Sequence, residues 1–569
     1  MYTASTALLE AMTEAGITLI FANLGSDHPG IVEAIAEAHA NGRPVPAVVT
    51  CPNEMVGLSA AQGYAQASGQ PQCVLVHVEC GTQSLAGAVH NAAKGRVPVL
   101  IVAGASPFTQ EGELRGSRNE FIQWIQDVHD QRGLVRGYMR YDNEIRTGRN
   151  VKQLVHRALQ FACSEPRGPV YLMAAREVLE EEVPPVAIDL DQWQPIAPSA
   201  LAPQGVQDIA RALIGAKNPL VVTSYLGRKP GAVEQLARLA RRLAIGVLDS
   251  VPNYVNFPAD DPLYQGCQWN EPVQNVALAE ADVVLVLDSD VPWISAHSKP
   301  NPDAQIFHID TDPLKQAMPL WYIYARQSYR ADVETALAQL NIHVDTDKLN
   351  ADAIAARAER FGARHIERTQ RLATKEAAGA VITGEYLTAC IRARVDAESL
   401  VLVEGISHYT CIIDHLISIR PAGMFTSGGG SLGWNGGAAI GAKMAQPDKT
   451  VWALGGDGCF MFSQPSTVHW MARQYRTPFI QVVYNNRGWK SPMLSLLGVH
   501  PEGYASRANE IGVTFDPPAD YAGIAAAAGG ALGITVREVA ELEPALDAAL
   551  RAVREEGRSA VLDVWLPHL

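Results

Sequence analysis

Short apolar runs alternate along the whole chain with longer stretches of helical pattern, and this alternation restricts the fold more than any other feature. The runs are rich in Val, Ile and Leu, which is typical of strands buried on both faces of a parallel sheet. We therefore predict an α/β fold built from open parallel sheets. The predicted strands lie at 47–51, 73–78, 98–103, 169–173, 219–223, 282–287, 305–310, 400–404, 451–454, 479–484 and 560–565.

The length of the chain and two interruptions of this pattern predict three domains. At roughly 150 residues per domain, 569 residues correspond to about three or four domains. An acidic and Pro-rich tract at 180–203 and a long polar helical region at 345–378 interrupt the alternation. We expect an N-terminal domain at 1–185, a central domain at 204–344 and a C-terminal domain at 379–569.

The composition excludes several classes of partner. Lys and Arg number 46 against 60 Asp and Glu, a net charge of −14 without a basic stripe, so we expect neither nucleic acid nor an anionic membrane surface as a partner. The eight cysteines form no Cys-x-x-Cys pair, which indicates a reducing, cytoplasmic compartment. The N-terminus lacks a signal-peptide pattern, and no apolar tract is long enough to cross a bilayer, so we expect no membrane segment.

The most specific motif joins two predicted strand ends in the last third of the chain. Gly456-Asp457-Gly458 follows one strand, and Asn485-Asn486 follows the next after 26 intervening residues. Since the carboxyl ends of parallel strands gather ligands, the two halves of the motif can face one site. Taken singly, each half is also explained as an ordinary strand-to-loop turn.

This pair of turns resembles the diphosphate-binding motif of the thiamine-diphosphate-dependent enzymes. The resemblance implies that Asp457, Asn486 and the backbone carbonyl of Gly488 hold Mg²⁺, with cofactor contacts from Gly456, Gly458 and Cys459. Mg²⁺ prefers hard oxygen ligands of this kind together with ligand phosphates. The metal would also explain how a chain of net charge −14 holds a diphosphate.

A second motif lies in the first third, where Cys51-Pro52-Asn53-Glu54 opens a helical pattern. It resembles the family segment in which a Glu binds N1′ of the aminopyrimidine ring of the cofactor. The resemblance implies that Glu54 favours the imino tautomer, whose nitrogen removes the C2 proton of the thiazolium ring and gives the ylid. From the residues alone, Glu54 is equally explained as a first-turn acid that interacts with the helix dipole.

A third motif is the Gly-rich run from Ser427 to Trp434, which precedes a small-residue helical pattern. It resembles the family stretch in which one bulky apolar side chain holds the cofactor in a bent V shape, and Leu432 falls at that position. The bend brings the 4′-imino nitrogen onto C2, so the side chain preorganises the cofactor. Without a ligand, the same run is explained as a Gly-rich loop before a core helix.

Further residues resemble the acetolactate synthase and benzoylformate decarboxylase branch of the family. The run Asn23-Leu24-Gly25-Ser26 implies that Ser26 binds the substrate carboxylate. His77, which follows Glu54 by 23 residues, is implied as an acid or base for the first adduct, because an imidazole titrates near neutral pH. A histidine inside an apolar run is also explained as a core residue.

Two more candidates rest on the same branch. Gln123 corresponds to a Gln that approaches the reacting centre in acetolactate synthases. His297 lies near the position of a second active-site His in benzoylformate decarboxylase, although a solvated loop His explains it as well. The segment 489–504 is expected to form a lid or an acceptor wall. Glu79 and Cys80 depart from the family pattern, and their roles stay open.

The resemblance implies a 2-oxo acid decarboxylase or a carboligase, or an enzyme with both activities, that acts through a C2 ylid and an enamine. Its substrate would be a 2-oxo acid or an aldehyde. The resemblance also implies a homodimer or homotetramer, in which Glu54 of one subunit serves a cofactor held by Asp457 of another. Bound FAD is not expected, because the comparable segment reads Leu287-Asp288-Ser289-Asp290. Two alternatives stay open: a 2-hydroxyacyl-CoA lyase or ligase on the same cofactor, and a non-catalytic protein that retains the fold.

Overall fold

The N-terminal sheet contains the strands that carry the first group of candidate residues. In the computed structural model, which describes residues 1–508 and 511–568, its strands are β1 (Leu19–Ala22), β2 (Ala47–Thr50), β3 (Cys73–Val76), β4 (Leu100–Ala105), β5 (Tyr141–Ile145) and β6 (Val170–Ala175). All pair in parallel, in the order β2-β1-β3-β4-β6-β5. The accompanying helices are α1 (Ala4–Glu14), α2 (Pro29–Ala40), α3 (Glu54–Ser68), α4 (Val78–Ser84), α5 (Ala86–Lys94), α6 (Ile122–Ile125), α7 (Val151–Cys163) and α8 (Arg176–Leu179).

The central sheet repeats the same architecture. Its strands are β7 (Pro219–Thr223), β8 (Gly246–Ser250), β9 (Tyr264–Gln268), β10 (Val283–Leu287), β11 (Gln305–Asp310) and β12 (Gln327–Arg330). Their parallel order is β12-β11-β10-β7-β8-β9, so the direction of winding reverses between β7 and β10. The helices of this part are α9 (Pro203–Gly215), α10 (Pro230–Leu243), α11 (Val276–Glu280), α12 (Val333–Thr346) and the connecting α13 (Ala351–Ala373).

The C-terminal sheet carries the second group of candidate residues. Its strands are β13 (Ser399–Glu404), β14 (Met424–Thr426), β15 (Thr450–Gly456), β16 (Ile480–Asn485), β17 (Leu532–Val536) and β18 (Ala560–Trp565). They pair in parallel in the order β14-β13-β15-β16-β18-β17. The helices are α14 (Gly384–Arg392), α15 (Tyr409–Leu416), α16 (Trp434–Ala445), α17 (Asp457–Phe462), α18 (Pro465–Gln474), α19 (Lys490–Val499), α20 (Tyr504–Ala508), α21 (Tyr521–Gly529) and α22 (Val539–Arg554).

Helices α3 and α16 join the N-terminal and C-terminal sheets within one chain. A Cβ added at Gly63 would overlap the backbone of Ala438, and one at Gly441 would overlap the carbonyl of Ala60. Because neither glycine has a side chain, the two helix backbones can approach this closely. The start of α3, which is Glu54, and the Gly-rich loop before α16 are therefore fixed to the same core.

The predicted α/β class with three open parallel sheets is confirmed. The domain boundaries stay predictions. One strand is shorter than expected: β3 ends at Val76, and Val78 begins α4 with a φ of +36°. Within residues 1–508 and 511–568, no helix combines the length and the apolar character that a membrane span needs.

Candidate active site

A cavity of about 270 Å³ opens at the carboxyl ends of β13, β15 and β16. Its lining residues come from within 405–408, 430–432, 456–462 and 486–492, so the described lining belongs entirely to the C-terminal sheet and its loops. The candidates Leu432, Asp457, Asn486 and Gly488 all line it, as do Gly456, Gly458 and Cys459. The structure therefore brings the whole second group of candidates into one cavity.

Asp457 is the first residue of α17 and is almost fully buried. Its Oδ1 accepts the backbone N–H of Gly458 at 2.8 Å, and its Oδ2 accepts that of Gly488 at 2.9 Å. Burial raises the pKa of this carboxyl to about 6, although these two hydrogen bonds favour the charged form. The site therefore holds a carboxylate that a nearby cation would stabilise.

The two adjacent asparagines have separate roles. Asn485 is fully buried, and its side-chain amide donates to Asp563 at 2.8 Å, which ties β16 to β18. Asn486 instead lines the cavity beside Asp457. The first Asn thus holds the strand end, and the second is left to face a ligand.

The donor set suits Mg²⁺ and an anion. Within the described chain, no group of three His, Cys, Asp or Glu side chains could hold a metal, so a cation here would depend on Asp457, amide and carbonyl oxygens, and oxygens of the ligand. Oxygen-only coordination completed by a phosphate is what Mg²⁺ favours. A Cβ at Gly456 or Gly430 would meet nothing within 4 Å, so backbone at both positions is open to a ligand.

Glu404, which was not among the predicted site residues, supports the Gly-rich loop. Its fully buried carboxylate accepts the backbone N–H groups of Gly433 at 2.6 Å, Trp434 at 3.1 Å and Asn435 at 2.9 Å. It thereby caps α16 and fixes the loop that carries Leu432, and burial raises its pKa to about 7. The sequence signal for this residue was an acidic side chain at the end of the apolar run 400–404, where a predicted strand ends. The thiol of Cys459 donates to the Glu404 carbonyl at 3.1 Å.

His77 forms the centre of the first group of candidates. Its Nδ1 donates to Oδ1 of Asp27 at 2.5 Å, and its Nε2 lies 3.0 Å from Oε1 of Gln126. The bond to Asp27 raises the pKa of His77, with a smaller contribution from Gln126. Burial opposes ionisation of Asp27, but the bond from His77 holds the pKa of Asp27 below its usual value. Asp27 therefore orients the ring and sets which nitrogen carries the proton.

The backbone after His77 is strained and is held by the same carboxylate. Val78 has a φ of +36°, which is unfavourable for a β-branched residue. Its N–H donates to Oδ2 of Asp27 at 3.0 Å. Backbone strain of this kind persists where several surrounding contacts hold the residue in place, and it is common at functional sites. Asp27 thus fixes both the imidazole and the turn that presents it.

Glu54 lies on the same edge of the N-terminal sheet. It starts α3, whose N-cap Asn53 accepts the backbone N–H of Val56 at 3.2 Å. A Cβ at Gly81, one turn beyond His77, would lie 3.1 Å from Oε1 of Glu54, so the half-buried carboxylate faces α4. Ser26 immediately precedes Asp27, and its carbonyl accepts a hydrogen bond from Arg176 at 3.0 Å.

Gln126, and not Gln123, contacts His77. The buried side chain of Gln123 turns back into its own loop, where its Oε1 accepts the N–H of Asn119 at 2.9 Å. Gln126 reaches His77 with Oε1, and its Nε2 lies 3.6 Å from the sulfur of Cys80. Gln126 was missed because it directly follows α6, a helix of one turn that no pattern predicts. The role of Gln123 stays a prediction.

The thiol of Cys80 donates to Oε1 of the buried Glu79 at 2.9 Å. This bond raises the pKa of the Cys80 thiol, and burial adds to the effect. A raised pKa lowers the thiolate fraction at neutral pH, which makes the sulfur a poorer nucleophile. The pair therefore extends the hydrogen-bonded network of Gln126 without supplying a reactive thiolate.

His297 lies apart from both groups. It is exposed in a loop of the central domain and lines a cavity of about 470 Å³ together with Trp269 and Asp414. Among the described residues, none lines both this cavity and the Asp457 cavity. The structure therefore does not bring His297 together with the other candidates, and its role stays a prediction.

Asp27→Asn is expected to lower kcat about 100-fold, because the imidazole loses the partner that orients it. The pKa of His77 is raised chiefly by the bond to Asp27, so the limb of the kcat profile that reports His77 should move to lower pH. Measuring kcat against pH for the wild type, Asp27→Asn and the surface control Asp130→Asn checks both effects. A profile whose limb does not move would contradict the assignment.

Three family models match the chain in succession. The N-terminal TPP binding domain of thiamine pyrophosphate enzymes matches residues 2–134, their central domain matches 206–340, and their C-terminal TPP binding domain matches 405–564. Glu54 and His77 lie within the first match, and Asp457 and Asn486 lie within the third.

Several curated proteins are similar over most of their length. A Pseudomonas aeruginosa protein named "Probable 2-ketoarginine decarboxylase" is 24% identical, over 100% of this chain and 94% of its own. Sulfoacetaldehyde acetyltransferase of Castellaniella defragrans is 23% identical, over 99% and 93%. Benzoylformate decarboxylase of Pseudomonas aeruginosa is 24% identical, over 85% and 86%.

Solved structures share the fold over the full chain. Benzoylformate decarboxylase from Polynucleobacter necessarius superposes with a TM-score of 0.79 at 20% identity and covers 100% of both chains. The 4-hydroxybenzoylformate decarboxylase of Rhodococcus jostii gives a TM-score of 0.77 at 20% identity, covering 100% of this chain and 99% of its own.

Proposed function

Because the chain belongs to the thiamine-pyrophosphate-dependent enzymes, we propose that it decarboxylates a 2-oxo acid, or joins it to a second carbonyl compound, with thiamine diphosphate and Mg²⁺. Membership makes it an enzyme with lyase or transferase chemistry. The observation that carries the proposal is the buried Asp457 carboxylate, which lies beside Asn486 and open glycine backbone in one cavity.

The cofactor would bind at the C-terminal sheet through its diphosphate. Asp457, Asn486 and the carbonyl of Gly488 would hold Mg²⁺, and the open backbone at Gly456 would face the phosphate oxygens. When bound, thiamine diphosphate would supply a nucleophilic carbon for addition to the substrate carbonyl and a cationic ring that takes up the electron pair left behind when CO₂ departs. Leu432, at the cavity wall, would support the bend between the two rings.

Residues of the N-terminal domain would carry out the proton transfers and bind the substrate. Glu54 would donate to N1′ of the aminopyrimidine and so favour the imino tautomer, whose nitrogen is the base for the C2 proton. His77, oriented by Asp27, would give a proton to or take one from the substrate oxygen at its Nε2. Ser26, on the turn before Asp27, would bind the substrate carboxylate. Exclusion of water from the closed site favours loss of CO₂, because the carboxylate is less well solvated there.

A second copy of the chain would complete the site. Glu54 and His77 are absent from the described lining of the Asp457 cavity. Exposed apolar side chains flank both halves: Phe121 (77%) and Ile125 (68%) lie near Gln126, and Leu494 (53%) and Val499 (70%) lie on α19 beside the cavity. Association of two chains through these faces would remove the four apolar side chains from water. We therefore propose a homodimer or homotetramer in which α19 and the rest of 489–504 form the lid.

Co-expression of two defective chains tests this arrangement. Glu54→Gln and Asp457→Ala chains are each expected to be inactive alone, whereas a mixed dimer contains one site with both defects and one intact site. Random pairing then restores about a quarter of the wild-type activity per chain, since half of the dimers are mixed. A decarboxylation assay of the unfractionated mixture measures it, and co-purification through two different tags isolates the mixed dimers, which should retain about half of the wild-type activity per chain because one of their two sites is intact. Absence of activity in a stable mixed dimer would place both residues in one chain's site.

We propose no bound FAD. The carboxyl ends of β7 and β10, where an open α/β domain holds a dinucleotide, are filled by Tyr225 and Asp290 together with Arg96 from the N-terminal domain. We further propose a reducing, cytoplasmic location, as the sequence predicts. All eight cysteines lie within the described residues, and each is a free thiol.

A substrate panel tests the proposed reaction. Purified protein is incubated with Mg²⁺, thiamine diphosphate and single 2-oxo acids, including pyruvate, benzoylformate and 2-ketoarginine, with and without an added aldehyde. The proposal predicts cofactor-dependent release of CO₂ from at least one acid, with an aldehyde or a hydroxyketone as product. Activity that persists without the cofactor, or cleavage of 2-hydroxyacyl-CoA thioesters alone, would contradict it.

A further inference from the structure

Helix α5 of the N-terminal domain holds the Gly-rich loop of the C-terminal domain, defined here as residues 427–433. Nε2 of His90 accepts the N–H of Gly430 at 3.1 Å. The side-chain amide of Asn91 accepts the N–H of Ser431 at 3.1 Å and donates to its carbonyl at 2.8 Å. Since Gly430 and Leu432 line the Asp457 cavity, α5 determines where that wall of the cavity stands.

The C-terminal end of α5 is anchored in the central domain by Arg96, which lies two residues beyond Lys94, the last residue of the helix. The buried Arg96 side chain donates from Nη1 to Oδ1 of Asp310 at 3.0 Å and from Nη2 to Oδ1 of Asp290 at 3.0 Å. Its guanidinium also stacks over the ring of Tyr225, 4.4 Å from the centroid. The planar fork of Arg suits several directed contacts of this kind, which a Lys ammonium cannot reproduce.

The anchor occupies the point where the winding of the central sheet reverses. Tyr225 follows β7, Asp290 follows β10 and Asp310 ends β11, so the contacts of Arg96 come from three strand ends. Lys315 completes the network, at 2.5 Å from Asp310 and 2.8 Å from Asp290. Because the Asp310 carboxylate is fully buried, loss of one cation would leave its negative charge poorly compensated and would release this end of α5.

We propose that Arg96 is a positioning residue for the cofactor, which acts through α5 and the Gly-rich loop. The inference rests on the proposed function, because the loop matters only if the cavity binds thiamine diphosphate. Arg96 fixes the end of α5 against the central domain, and α5 then holds residues 430–432 at the spacing that the bound cofactor needs. The cofactor affinity therefore depends on a side chain that touches neither the cofactor nor the metal.

The test measures the dissociation constant of thiamine diphosphate, by quenching of tryptophan fluorescence with saturating Mg²⁺, for the wild type, Arg96→Lys and Arg96→Ala. Arg96→Lys keeps the charge but loses the forked contacts, and we expect about tenfold weaker binding with little change of kcat at saturating cofactor. Millimolar guanidinium, far below denaturing concentrations, should restore the affinity of Arg96→Ala.

Arg357→Lys is the matched control, because Arg357 is also a buried arginine, but it donates to the backbone carbonyls of Leu213 and Leu243 within the central domain. It should bind the cofactor as the wild type does. Hydrogen exchange should quicken in peptides covering 427–433 in Arg96→Lys and remain unchanged in the control. If Arg96→Ala does not fold, the cofactor affinity of Arg96→Lys and its hydrogen exchange in 427–433 still test the positioning role of Arg96.

The outcomes separate the two proposals. If the wild type does not bind thiamine diphosphate, the proposed function fails. If the wild type binds it and folded Arg96→Lys binds equally well, with unchanged exchange in the loop, only the positioning role is overturned. A loss of kcat at saturating cofactor without any loss of affinity would also overturn it.

Discussion

Glu54→Gln is expected to lower kcat by about 10²- to 10⁴-fold, the usual contribution of a positioned acid or base. The amide is similar in size to the carboxylate, so the fold and the packing of this side chain against α4 should be preserved. It cannot give N1′ a proton, however, and the cofactor would remain poorly activated. Steady-state decarboxylation with the best acid of the substrate panel, at saturating cofactor, measures the effect.

Glu334→Gln is the matched control for this variant. Glu334 also lies in the first turn of a helix, α12, but in the central domain. If Glu54 acted only on the helix dipole, both variants would lose at most about 1 kcal/mol of stability and neither would lose activity. We expect Glu334→Gln to retain full activity. Equal activity in the two variants would return Glu54 to the helix-dipole interpretation.

His77→Ala is expected to slow turnover by about 10²- to 10⁴-fold while changing cofactor affinity far less. The reason is that His77, held by Asp27 and Gln126, would act on the substrate oxygen, whereas the cofactor would be held by other residues through its diphosphate and N1′. Measuring kcat and the dissociation constant of thiamine diphosphate on the same preparation separates the two effects.

His156→Ala serves as its control. His156 is a buried histidine of α7 that contacts Glu14 at 3.3 Å, so its loss tests the general cost of removing a buried imidazole. That variant should lose stability but retain turnover per folded chain. An unchanged rate in His77→Ala would show that His77 is a core residue after all.

Strands were predictable where a long apolar run marks them, whereas buried strands without such a run, such as Gly246–Ser250, were not predicted. Every residue of Val283–Leu287 is buried, and the sequence there is a continuous apolar run. The edge strands Tyr141–Ile145 and Gln327–Arg330 are half-buried or exposed and largely polar, so no apolar run predicts them. Their pairing with a neighbouring strand, which sequence pattern does not report, makes them strands.

The site was predictable where its chemistry is local in sequence. Asp457 and Asn486 each follow a strand directly, so their position at one sheet edge follows from the parallel topology. Asp27 lies 50 residues from His77, and Arg96 lies 214 residues from Asp310. Neither pair forms a spaced motif, because the contacts depend on how separate loops and domains pack.

The central claim is that this chain activates thiamine diphosphate with Glu54. The most direct measurement is the rate at which the C2 proton of the bound cofactor exchanges with deuterium in D₂O, followed by acid quench and NMR. It needs no knowledge of the substrate. The wild type with Mg²⁺ should exchange about 10²- to 10⁴-fold faster than Glu54→Gln. Equal exchange rates in the two proteins, with the cofactor bound in both, would contradict the account.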